Sequence, residues 1–287
     1  MVSFSSVSFG YGKSSLFEGL DLQFAPGGCY GLLGLNGAGK TSLLKLAAGA
    51  LHPSRGSILA FGRNPGQRSA AHLADLCFVA EDPAAPAMDV KGWLSRVAVF
   101  RPAFQGGRFD ELRREFELPE GRRPINTWSY GQRKKFALAA ALSSGARLLL
   151  LDEPTNGLDI PAKMQFRRAL ASFPEGERVI VVSTHQVRDL ESLIDPIVIV
   201  DKGRAVFAAT MEELGARLSS ARLSSLDGRS VVTARRDAVG WSALLAERGQ
   251  SLDLEIVFEA AMSAPSRLST AMAGGELPPF DPVEALV

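Results

Sequence analysis

The sequence predicts an α/β fold with a mainly parallel core sheet, and three observations carry that expectation. Leu148 to Leu151 and Val179 to Ser183 are continuous apolar runs, the habit of strands buried on both faces. Helical patterns, Ser129 to Leu142 and Ala162 to Phe173, flank and separate them. A third apolar run, Cys29 to Leu33, leads into Gly34-Leu35-Asn36-Gly37-Ala38-Gly39-Lys40-Thr41 and then into a leucine-spaced helix start, Ser42 to Ala48. The middle stretch reads G-x-x-x-x-G-K-T, a phosphate-binding loop in the strand–loop–helix context that gives the pattern its meaning.

In chain order, alternation around Val2 to Phe9 and Gly19 to Phe24 predicts two antiparallel strands joined across Gly10 to Lys13. Residues 54 to 62 read as a short strand pair, and Leu73 to Ala80 as one apolar strand ending at Glu81-Asp82-Pro83. From about 82 to 146, prolines separate helical segments such as Val90 to Phe100 and Phe109 to Phe116, the pattern of a helical subdomain. Its aromatics Trp93, Phe100 and Phe104 read first as filling that subdomain's own small core. Val187 to Leu193 reads as a helix, and Ile197 to Val200 with Arg204 to Ala208 as a hairpin. Beyond a helix at Met211 to Leu218 come a serine-rich linker, two strands (Ser230 to Ala234 and Leu252 to Phe258) and a short helix. The stretch from Gly274 to Val287 is expected to be loosely ordered.

Composition sets the outer bounds. A chain of 287 residues with 46% hydrophobic and 22% charged residues suits a globular protein of one large domain with an appendage. A net charge of +1 makes no strong claim on nucleic acid or an anionic membrane. Cys29 and Cys77 sit in apolar strand-like runs and read as buried thiols of a reducing compartment. Met1 to Ser6 lack a basic start and apolar run, and no stretch reaches the roughly 18 apolar residues of a membrane span. The expectation is a cytoplasmic protein that meets a membrane only through a partner.

The chemistry begins at the glycine loop. Glycines let backbone N–H groups close around phosphate oxygens, and the helix start adds about half a positive charge. In such a loop Lys40 reaches the β- and γ-phosphates and the Thr41 hydroxyl ligates Mg²⁺. Leu148 to Leu151 ends in Asp152-Glu153, so a core strand delivers one carboxylate to the metal and the next to a water in line with the γ-phosphate. Upstream lies Trp128-Ser129-Tyr130-Gly131-Gln132-Arg133 heading a helix, and six residues after Glu153 comes Asp159. The run Val181 to Thr184 ends on His185, alone among the three histidines in closing an apolar strand; His52 and His72 read as surface residues.

This ordered set, over roughly residues 1 to 215, resembles the nucleotide-binding subunits of ATP-binding cassette (ABC) transporters. The resemblance implies a P-loop ABC-type ATPase fold, with an N-terminal antiparallel β subdomain, a helical subdomain near 82–146 and a small α+β extension over 216–287. It implies ATP with Mg²⁺ as ligands. Tyr11 then stacks on adenine, against the simpler reading of a turn tyrosine. Gly34, Asn36, Gly37, Ala38, Gly39, Lys40, Thr41 and Ser42 bind nucleotide, and Asp152 stands by the metal. Glu153 is the catalytic base, with His185 and Lys40 beside it. Ser129, Tyr130, Gly131 and Gln132 match the signature loop that meets the γ-phosphate of an opposite subunit, and Asp159 the D-loop.

Two departures stand out. The signature has Tyr130 where the common form has glycine, a change that activity is expected to survive. Glu81 stands where a glutamine is usual, resembling exporters of the ABC-2 type, and either ligates Mg²⁺ or faces solvent. Arg133-Lys134-Lys135 reads as a solvated helix face rather than a nucleic-acid surface. The resemblance further implies a second ATP-binding subunit, as homodimer or heterodimer, and separately encoded transmembrane permease subunits. The rival is a non-transport ABC ATPase acting on nucleic acid or ribosomes; its chromosome-maintenance form would need a long coiled coil between Thr41 and Ser129, and heptads are absent there.

Overall fold

Period-two alternation near the N-terminus buries one side of each strand, and it folds as β1 (Val2–Tyr11) and β2 (Ser14–Phe24), paired antiparallel with Phe4 opposite Leu22. The computed structural model describes residues 1–173, 176–249 and 251–280. β3 (Gly28–Leu33) runs through the glycine loop into α1 (Lys40–Ala47), and β4 (Arg55–Ala60) joins the free edge of β1. Then come α2 (Ala70–Asp75), β5 (Leu76–Val79), and three helices, α3 (Val90–Phe100), α4 (Gly106–Glu115) and α5 (Tyr130–Leu142). β6 (Leu148–Asp152), α6 (Ile160–Ala171) and β7 (Val179–Thr184) follow, with β8 (Ile197–Asp201) and β9 (Arg204–Ala209) as a hairpin. α7 (Met211–Arg217), β10 (Ser219–Leu223), β11 (Val231–Arg236), β12 (Trp241–Leu245), α8 (Leu254–Ser263) and α9 (Pro265–Met272) complete the order.

The central sheet runs β5-β6-β7-β3-β8-β9, parallel except for β9. Its apolar runs are explained by burial on both faces. Leu149, Leu151, Ile180 and Val182 point into a core shared with Phe109, Phe136 and Phe166 of the helices. Leu148, Leu150, Val179 and Val181 point the other way, onto Leu43 and Leu46 of α1 and the phenylalanines of β1 and β2. One strand therefore glues two layers, and a one-residue slip in register would exchange them. The parallel connections also bring the C-terminal ends of β3, β6 and β7 to one edge, where ligands of such sheets bind.

The helical region closes on its own aromatics. Trp93 stacks edge-on against Phe136 at 5.0 Å between centroids and lies 5.7 Å from Phe109, as the packing reading of that region expected. Phe100, by contrast, is 77% exposed.

Several local expectations need correction. Residues 73–80 are not one strand: Ser69 caps α2 by accepting from the His72 amide, and the strand starts only at Leu76. Residues 54–62 give one strand of that pair, since β4 finds its partner in β1. Val187 to Leu193 yields only a single 3-10 turn at Val187–Asp189. Leu252 to Phe258 is helical, because the buried set Leu254, Val257, Ala260 and Ala261 has helical spacing that the alternating reading cut short. The serine-rich linker is partly β10, paired with β12. His72 is buried rather than on the surface, and that burial lowers its pKa. From residue 281 the expected loose tail lies outside the described residues.

The β2-β1-β4 sheet and the central sheet meet at Gly203. This turn residue of the β8–β9 hairpin has φ 75°, and a Cβ there would stand 1.5 Å from the Leu16 carbonyl oxygen of β2. Gly203→Ala meets both a forbidden conformation and a backbone clash, and should cost about 2 kcal/mol or more. A thermal melt followed by circular dichroism checks this; an unchanged midpoint would contradict the packing described.

Candidate active site

The glycine loop is shaped by what crowds it on one side and leaves it open on the other. A Cβ on Gly34 would meet the Val200 carbonyl oxygen at 2.5 Å, and one on Gly39 would meet the Phe17 ring at 2.8 Å. Gly39 also has φ 108°, outside the range of ordinary side-chain residues. It is the N-cap of α1 and brings no side-chain hydrogen bond, so the first helical N–H groups are left for an anionic ligand. Lys40 is 6% exposed; its Nζ donates to the carbonyls of Gly34 (2.8 Å) and Leu35 (3.2 Å). A buried ammonium is tolerable only with partners of this kind.

Asp152 ends β6, 2% exposed, with a donor on each carboxylate oxygen. Thr41 Oγ1 donates to Oδ2 at 2.8 Å, and Ser183 Oγ of β7 donates to Oδ1 at 2.6 Å. The Glu153 amide in turn donates to Ser183 Oγ at 3.1 Å. Glu153 itself has φ 44°, a left-handed conformation rare for a residue with a side chain and a form of strain typical of functional positions. Its Oε1 lies 2.9 Å from His185 Nδ1 and 3.5 Å from Lys40 Nζ. Glutamate, lysine and histidine thus form one group.

Gly39, Lys40, Thr41, Glu153 and His185 wall a single cleft of about 550 Å³, together with Asn36, Gly37 and Ser42 of the loop. Tyr11 stands at its mouth, about half exposed, with its hydroxyl 3.1 Å from Ser42 Oγ. Glu81 enters the same cleft and accepts a hydrogen bond from Asn156 Nδ2. Among the described residues there is no cluster of three or more His, Cys, Asp or Glu suited to a metal ion.

Ser129, Gly131 and Gln132 lie elsewhere. They line a second cleft of about 320 Å³ with Gly157, Leu158 and Asp159, and the two clefts have no residue in common. Ser129 caps α5 by accepting from the Gln132 amide, while Gln132 Oε1 accepts from the Ser129 amide, a reciprocal capping box. Asp159 caps α6 through the Ala162 amide at 2.9 Å. Tyr130 leaves this group: its hydroxyl donates to the Glu81 carbonyl at 2.9 Å. Burial and the nearby Asp82 and Glu81 carboxylates hold its phenol above the usual range, so it is a neutral donor.

The solvated-face reading of residues 133–135 fails at Lys134. It is fully buried, and its Nζ donates to that same Glu81 carbonyl. Burial lowers its pKa, against the opposing pull of Glu81, Asp152, Glu153 and Asp82. Sequence reasoning also missed Ser183 and Asn156. Ser183 was within reach: it closes an apolar run beside the one closed by Asp152, and parallel register puts the two side by side.

A loop-bound phosphate cradle, a carboxylate–hydroxyl pair and a glutamate backed by histidine define a nucleoside triphosphatase of the cassette type. The model of the ABC transporter family matches residues 17–156. The chain is 30% identical over 221 residues to the daunorubicin resistance ATP-binding protein DrrA3 of Streptomyces coeruleorubidus, covering 74% of this chain and 69% of that one. It is 32% identical over 250 residues to the Fe(3+) ions import ATP-binding protein FbpC of Serratia marcescens, covering 81% and 71%. A solved structure of the ATP-binding subunit of an ABC transporter superposes with a TM-score of 0.66 at 24% identity, over 75% of this chain and 91% of that one. The chain belongs to the ATP-binding subunits of ABC transporters, and its enzymatic class is ATP hydrolase.

Removing Ser183 isolates its role. Ser183→Ala leaves one Asp152 oxygen short of a partner in a buried site, while the Glu153 amide keeps the Ser183 carbonyl at 3.1 Å, and the expected loss is about 1–3 kcal/mol of stability. Chemical denaturation should show a lower midpoint with an unchanged slope, and an unaltered midpoint would contradict the assignment.

Proposed function

We propose that this chain works in pairs on a membrane-embedded permease, each pair closing around two ATP molecules. The observation that carries the reading is the single cleft that unites Lys40, Thr41 and the Glu153–His185 pair, with Asp152 bonded to Thr41 behind its wall. In this reading the loop N–H groups and Lys40 hold the β- and γ-phosphates, and Tyr11 stacks on the adenine. Glu153 accepts a proton from a water as that water's oxygen bonds to the γ-phosphorus and the bond to the β-phosphate oxygen breaks, leaving ADP and phosphate. His185, bonded to the same carboxylate oxygen, orients it.

The donor set fits Mg²⁺. The Thr41 hydroxyl and Asp152 carboxylate oxygens are 2.8 Å apart, near the roughly 3 Å between adjacent ligands of a small octahedral cation. When bound, the ion would neutralise charge on the phosphates; Thr41 and Asp152 are the residues that would hold it.

The second cleft supports pairing. Ser129, Gly131 and the start of α5 make an anion-binding corner outside the cleft of Lys40, so a γ-phosphate can meet both only if two chains face each other. No helix among the described residues is long and apolar enough to cross a membrane, which supports a peripheral subunit acting on separate spanning chains. We assign residues 1–215 to the ATPase, with the helical subdomain at 82–146, and 216–287 to an accessory unit. Export is assigned from Glu81 alone, since of the two relatives DrrA3 is named for daunorubicin resistance and FbpC for import.

Glu153→Gln removes the base and should trap the closed pair. Light scattering is expected to show the mass of about one chain without nucleotide and of two with ATP and Mg²⁺. A mass unmoved by ATP that is demonstrably bound would overturn self-pairing.

A further inference from the structure

We infer that Tyr130 and Lys134 form a two-donor clamp on the main chain of Glu81, and that this clamp sets where the Glu81 carboxylate stands in the nucleotide cleft. The two residues are four apart on α5 and so share a face. Both donate to one acceptor, the Glu81 carbonyl oxygen, whose two lone pairs can serve both.

The clamp is built from residues that have few other reasons to be there. Lys134 is wholly buried, at a position where an apolar side chain would avoid the desolvation of an ammonium. Tyr130 carries its ring over Gly157, where a Cβ would come within 2.5 Å of a ring carbon, so glycine at 157 makes room for tyrosine at 130. Glu81 is then held at both ends: its carbonyl by α5, and its carboxylate by Asn156 from the loop after β6. Tyr130 is not a wall of either cleft, yet it touches a residue of each, Glu81 of the first and Gly157 of the second. Tyr130 and Lys134 are positioning residues that act through Glu81. The inference rests on the ATPase reading only for what that carboxylate faces.

The test uses the full chain with Tyr130→Phe and with Lys134→Met, each alone and combined with Glu81→Ala. Amide hydrogen exchange at Ile125 and Asn126, whose N–H groups donate to the Met88 and Pro86 carbonyls of the segment that follows Glu81, reads the clamp without nucleotide. It should quicken in both variants, while exchange in β6 and β7 stays put. Steady-state ATP turnover reads the consequence: each variant should lower kcat about fivefold with KM little changed, the loss of one hydrogen bond's worth of positioning. In the Glu81→Ala background the same substitutions should cost almost nothing further, because their effect runs through that side chain. Unchanged exchange at Ile125 and Asn126 would overturn the clamp. Faster exchange with kcat losses that simply multiply in the Glu81→Ala background would overturn the route through Glu81. A parent chain that turns over no ATP would refute the function proposed above, and the exchange result would still decide the clamp. Tyr130→Phe, which keeps the ring over Gly157, guards against reading a packing defect as a lost hydrogen bond.

Discussion

The carboxylate of Asp152 is the knot of the structure. One oxygen takes the hydroxyl of Thr41 and the other that of Ser183, joining the start of α1 and the ends of β6 and β7. Thr41 and Asp152 are 111 residues apart, so this bond forms only once the parallel sheet has brought them together. In a site from which water is largely excluded, each bond is stronger than at the surface and each missing one more costly. The set of α1 and the place of Glu153 are tied to satisfying that one buried anion.

Glu153 illustrates what such rigidity permits. Its left-handed backbone would relax if the chain were free, but the amide is tied to Ser183 and the side chain to His185 and Lys40. A strained residue persists only where its surroundings over-determine it. The positive charge of Lys40 is likewise shared between main-chain carbonyls and the Glu153 carboxylate, so neither of these two buried ions is left bare.

Much of this was written in local pattern. The glycine loop, the leucine run ending on Asp152 and the run ending near His185 each carried their own signature of strand, loop and helix. What escaped reading was what only three dimensions create. Ser183 looks like any strand-end serine until register sets it against Asp152. Lys134 belongs to a basic triplet that composition assigns to water, yet the turn of α5 points it inward. Leu252 to Phe258 alternates well enough to pass for a strand; its helical period becomes visible only when Ala260 and Ala261 are counted among the buried positions. Alanines are weak markers of a face, and that is where periodicity fails.

The separation of the two clefts has a genetic reading. Lys40 and Ser129 belong to one chain but wall different cavities, so damage to one leaves the other intact. Under the pairing proposed above, a chain crippled at Lys40 and a chain crippled at Ser129 can still complement each other. Their intact halves assemble one whole site opposite one doubly broken site. Alleles of the two classes would rescue one another in the same cell, whereas two alleles of the same class would not.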